Sequence, residues 1–106
     1  MSFDFLYTSD DLTEKAIMVA GETHTVYVKK VPAVQLRAFV DDLQSPDRDS
    51  RLYAGYRQLV MAIRDENGNP VMNYEQAKKL SSESAKELIR VFTEVNKVSD
   101  ADAGNV

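Results

Sequence analysis

The chain reads as a small α+β domain, mainly α, with an N-terminal β-hairpin packed on three to four amphipathic helices. Three observations predict it. Two short runs rich in β-branched and aromatic residues flank a glycine; four later segments carry an apolar helical stripe or a helix cap; turn residues separate them. At 106 residues the chain forms one domain and folding hides roughly 65% of the extended surface, enough for one modest core.

The strand runs are residues 15–20 ("KAIMVA") and 23–30 ("THTVYVKK"), around Gly21-Glu22, where glycine at positive φ suits a type II′ turn. Period-2 alternation sets His24, Val26 and Val28 on one face and Thr23, Thr25 and Tyr27 on the other. A lone hairpin is marginal in water. It must pack on a helix, gain a strand, or pair with another chain through an open edge.

Pro32 precedes a first helix striped by Leu36, Phe39, Val40 and Leu43, which "SPD" stops. Asp49 or Ser50 can cap the next, "RLYAGYRQLVMAIR". Its apolar face is Leu52, Tyr53, Tyr56, Leu59, Val60 and Ile63, with Arg51, Arg57 and Gln58 outward and Asn67-Gly68 as its stop. Asn73 caps a short helix, "YEQAKKL". Ser81 or Ser82 opens the last, striped by Ala85, Leu88, Ile89, Phe92 and Val95. Residues 1–14 read as a flexible apolar and acidic arm, 15–97 as the globular domain and 98–106 as a disordered tail.

Composition and spacing argue against most chemistry. A formal charge of −4 and a pI near 4.9 oppose binding to a phosphate backbone. No cysteine means no disulfide, thiolate metal site or cysteine nucleophile. The start has no basic n-region, and no apolar run reaches membrane-spanning length, so a soluble, intracellular protein is expected. "RDENGNPVMN" resembles a calcium loop through Asp65, Asn67 and Asn69, but Pro70 stands where the loop needs glycine and Gln76 where it needs a bidentate glutamate. The pairs Asp10-Asp11, Asp41-Asp42 and Asp65-Glu66 diverge in direction and read as solvated charge or caps. His24, the one histidine, has no spaced partner for zinc or a triad, and no glycine-rich phosphate loop follows a strand. Arg51, Arg57 and Arg64 could face DNA from a helix-turn-helix, against the overall charge.

Binding remains. Phe3, Phe5, Leu6 and Tyr7 have no obvious core position and could form a docking arm, while Tyr53 and Tyr56 suit either the core or an interface where the hydroxyl stays wet.

The order of features, from a hairpin and a helix after "VP" through "AIRDENGNPV" to "LIRVFTEVN", resembles the tail assembly chaperones of long-tailed bacteriophages and prophages. In that family a helix commonly runs into a "DE(D/N)G" connector, an apolar pair, a short acidic-capped helix and a last helix ending near asparagine. The resemblance covers roughly residues 25–96, by motifs that are each also generic helix stops. It implies a non-enzymatic protein of the host cytoplasm that binds the long helical tape measure protein until tail tube subunits polymerise around it; no cofactor is expected, and the amphipathic helices and open hairpin edge suit a homo-oligomer. It would be absent from the finished virion, and a longer frameshifted product would be common. Phe3, Phe5, Leu6, Tyr53 and Tyr56 are the candidate protein contacts, with the tail tube protein a further possible partner and no nucleic acid or membrane. Alternatives are a minor tail component retained in the virion and a small DNA-binding regulator.

Overall fold

The computed structural model of the chain describes residues 3, 6, 7 and 10–97. Phe5 and the expected tail 98–106 lie outside them. Strands β1 (Leu12–Val19) and β2 (Glu22–Lys29) form the antiparallel hairpin, with Val19 opposite Glu22. The sheet starts at Leu12, three residues ahead of the run read as strand. The turn is also different: its two residues are Ala20 and Gly21, at φ 55° and 79°, and two positive φ angles belong to a type I′ turn. Its twist matches the flanking strands. Val28 is fully buried and Val26 half-buried on one face, while Thr23, Thr25 and His24 are exposed.

Helix α1 (Ala33–Leu43) follows Pro32 directly, whose carbonyl accepts from the Gln35 and Leu36 amides. Its stripe buries Phe39, which meets Phe92 edge to face at a centroid distance of 5.4 Å. Helix α2 (Arg48–Ala62) begins earlier than the spacing predicts, because Asp47 caps it by accepting from the Ser50 amide and hydroxyl at 3.0 and 2.8 Å. It also presents another face. The buried line is Ala54, Gln58, Leu59 and Ala62, whereas Leu52 is 51% exposed and Tyr53 and Tyr56 are half-buried. Small residues let α2 approach the core closely, and that turns the large ones to its flanks. Gln58, read as outward, is 4% exposed, and its side-chain oxygen has no partner.

The second apolar run ends differently too. At Ile63 the chain becomes extended and Ile63–Arg64 form β3, which pairs antiparallel with Tyr27–Val28 to give a sheet of order β1-β2-β3. Arg64 folds back to donate to the Met61 carbonyl at 3.0 and 2.7 Å, satisfying an orphan acceptor of the last helical turn. Gly68, at φ 86°, therefore stops no helix. It turns a tight loop in which Asp65 accepts from the Asn67 and Asn69 amides, ahead of a bridge between Arg64 and Pro70. The Asp65 carboxylate is occupied by its own backbone rather than by a cation site.

Helix α3 (Tyr74–Ala77) carries the expected Asn73 cap, closed reciprocally by Gln76 as a capping box. Helix α4 (Ser82–Asn96) is capped by Ser81 and buries Ala85, Leu88, Val91, Phe92 and Val95. It lies along β1, whose register leaves the amides and carbonyls of Leu12, Glu14, Ala16 and Met18 facing away from β2. Side chains of α4 meet the turn-proximal part of that edge. The Met18 amide donates to Glu87 at 2.8 Å, the Ala20 amide to Glu83, and Arg90 donates to the Ala16 carbonyl at 3.1 Å. The expected open edge is thus sealed by α4 over half its length, and β3 covers part of the opposite margin on β2. At the far end Asn96 accepts from the buried Val31 amide at 2.8 Å and donates to the Phe92 carbonyl at 3.2 Å.

Two outcomes follow. Asn96→Ala strands the Val31 amide and should lower unfolding free energy by about 1–3 kcal/mol in urea titrations, with Asn96→Asp, which keeps the acceptor, intermediate. Acid should also destabilise the fold. The Arg90 side chain, then the Met18 amide, holds the Glu87 carboxyl below its ordinary 4.5. Ser50 does the same for Asp47, by its hydroxyl and then its amide, and the Asn69 amide, then that of Asn67, for Asp65, both below 3.8. The unfolded chain then binds more protons than the folded one, so stability present above about pH 4.5 falls as pH drops through the lowered folded values. The urea midpoint should stay flat from about pH 8 to about pH 5 and decline below, less steeply in Glu87→Gln.

Candidate partner-binding surfaces

The helical side of the domain carries a groove of about 700 Å³, open to solvent, between α1, α2 and α4. Phe39 and Leu43 come from α1; Leu52, Gly55 and Tyr56 from α2; Ala85 and Ile89 from α4; Leu80 from the turn before α4. Gly55 sets its depth. A Cβ there would lie 2.5 Å from Cδ1 of Ile89, so the two helices touch more closely than any side chain would allow without movement. Leu52 and Tyr56, turned off the buried line by the alanines, become the wall.

The mouth carries Arg51, Lys86 and Arg90 and no carboxylate among its lining residues. Arg90 is paired, at 3.0 Å to Glu87 and 2.7 Å to Glu94. Arg51 donates to the Ser45 carbonyl at 2.7 Å and adds to Ser50 in lowering the pKa of the nearby Asp47 carboxylate, while Lys86 makes no ion pair among the described residues.

Beside the groove, Tyr53 lies 6.1 Å from Tyr56 and 6.4 Å from Tyr74, ring to ring, with the Lys78 ammonium 4.8 Å above Tyr74. The two tyrosines singled out from the sequence therefore meet, and Tyr56 reaches the groove. The arm residues do not join them: Leu6 is 65% exposed, Phe3 is exposed, and neither lines the groove. Leu52, Leu80, Lys86 and Ile89 escaped the sequence reading as site residues, and Arg51 entered it only as a candidate contact to DNA. Leu52 and Ile89 look like core positions of a stripe, and no local signal marks Leu80 or Lys86.

The residues weighed for chemistry are otherwise engaged. Asp41 pairs with Arg37, Asp42 with Arg57 at 3.1 Å, and Asp10 with Lys29 at 3.3 Å. His24 is exposed on β2. Arg57 and Arg64, two of the three arginines of the helix-turn-helix reading, spend their donors inside the chain. Among the described residues no cluster of three or more potential metal ligands occurs, and no helix is long and apolar enough to cross a membrane.

Residues 6–96 match the family model of phage tail assembly chaperones. Neither a curated protein nor a solved structure matches the chain. The match spans the hairpin, every helix and the groove, and with it this chain belongs to the phage tail assembly chaperone family.

Proposed function

We propose that the chain binds the tape measure protein of its phage in the host cytoplasm and keeps it soluble until tail tube subunits enclose it. It acts by binding alone and then leaves. The observation that carries this reading is the apolar groove, in a chain of this family: walls of exposed Leu52 and half-buried Leu43, Tyr56 and Ile89 around buried Phe39 suit the apolar stripe of a client helix. Such a surface is costly to leave in water unless something covers it.

Self-association supports the same task. Exposed arm residues Phe3 and Leu6, together with Phe5, and the Leu12–Glu14 stretch of the β1 edge, which α4 leaves uncovered, supply contacts through which copies could line a long client. The tail tube protein would meet this assembly as it displaces it.

Co-expression tests the reading. Tape measure protein should stay in the supernatant with the wild-type chain and move largely to the pellet with Leu52→Glu, which places a charge in the groove at an exposed site where folding tolerates it. An unchanged soluble fraction would count against the groove. Removing residues 1–8 should lower the mass seen by light scattering or reduce client solubility; no change in either would remove the arm from the mechanism. Mass spectrometry of purified particles should find the chain missing.

A further inference from the structure

We infer that the groove selects client segments by charge, taking an amphipathic helix whose apolar stripe is flanked by aspartate or glutamate. This deepens the proposed function and rests on it. The chain has 17 acidic and 13 basic side chains, yet the groove is lined by three cations and no carboxylate. Two other concave surfaces are mixed: one beside β3 joins Arg64 to Asp65 and Glu66, and another by the hairpin turn joins Lys86 to Glu83 and Glu87.

The cations are placed to flank an occupant. Arg51 stands on α2 and Lys86 on α4, and both line the groove together with Leu52, Tyr56 and Ile89. Among the described residues Lys86 carries no ion pair, and Arg51 donates to the Ser45 carbonyl and feels the Asp47 carboxylate without forming a salt bridge with it. Arg90 differs, since Glu87 and Glu94 already offset its charge, so discrimination falls to the other two. A volume of about 700 Å³ holds roughly two turns of helix, the reach of apolar anchors at i, i+3 or i+4, and i+7. Carboxylates beside those anchors would meet Arg51 and Lys86 at the rim. Lysines there would face like charge, and rejection of such segments gives specificity that apolar contact lacks.

Two synthetic helical peptides with the same leucine stripe, one flanked by glutamate and one by lysine, test this by fluorescence anisotropy against the full chain. The acidic peptide should bind about tenfold more tightly at low salt, and the margin should shrink as salt rises. In Arg51→Glu/Lys86→Glu the preference should vanish or reverse, and in Arg51→Gln/Lys86→Gln, which adds no new charge, it should vanish. Equal affinities, no binding of either peptide, or a preference untouched by both variants would overturn the inference. Co-expression separates it from its parent: a chain that keeps the tape measure protein soluble but ignores peptide charge defeats only the selectivity. One that discriminates peptides but leaves that client insoluble defeats only the choice of client.

Discussion

The fold depends on how α4 docks along β1. One side of the helix supplies Leu88, Val91, Phe92 and Val95 to the core, and burying four such side chains is worth about 1.5–3 kcal/mol each against leaving them in water. The polar flank of the same helix fixes the register of that docking. Glu83, Glu87 and Arg90 recur at helical spacing, and each meets a backbone group of β1 or its turn that β2 cannot reach. Sliding the helix by one residue would break all three contacts and strand Val31 at the other end, where Asn96 holds its amide. Apolar burial supplies the affinity of helix for sheet; the polar contacts supply its uniqueness.

That arrangement explains why a groove exists. A helix committed to β1 on one side has to leave another side toward α1 and α2, and α2 approaches through Ala54 and Gly55 rather than through bulky residues. Gly55 and Ile89 make the close contact between the helices, while Leu52 and Tyr56 form the wall. Filling the space with larger α2 residues would remove the exposed apolar wall and, with it, the surface available to a partner. The unpartnered oxygen of Gln58 belongs to the same helix face, where a buried amide weakens the packing that Leu59 and Ala62 provide.

Much of this was legible in the sequence, where periodicity and capping chemistry agree. The Asn73 cap, the Ser81 cap, the hairpin and the α4 stripe follow from residue types at fixed spacing, except that α4 buries Val91 and leaves Ile89, read as part of the stripe, half-buried. The departures share a cause. Ile63 lies four residues after Leu59 and so continues a helical stripe as well as it begins a strand; only pairing with Val28, far away in sequence, decides. Alanine is silent in a hydrophobicity pattern, so Ala54 and Ala62 gave no hint that the buried line of α2 runs through them and past Gln58. Asp47 outcompeted Asp49 and Ser50 as cap because its carboxylate reaches both groups of Ser50, which is a matter of geometry rather than composition.

The candidate site was less legible, and for a different reason. A stripe says that a residue avoids water but not what covers it, so Tyr56 could be noticed as ambiguous while Leu52 and Ile89 passed as core. Charge is harder still. Arg51 and Lys86 lie 35 positions apart and are unremarkable on their own helices, and they become a pair only when α2 and α4 cross at Gly55. Selectivity of this kind is a property of the crossing, not of either helix. An acidic chain that lines one apolar groove with cations and no carboxylate therefore carries information about its partner that no local segment contains.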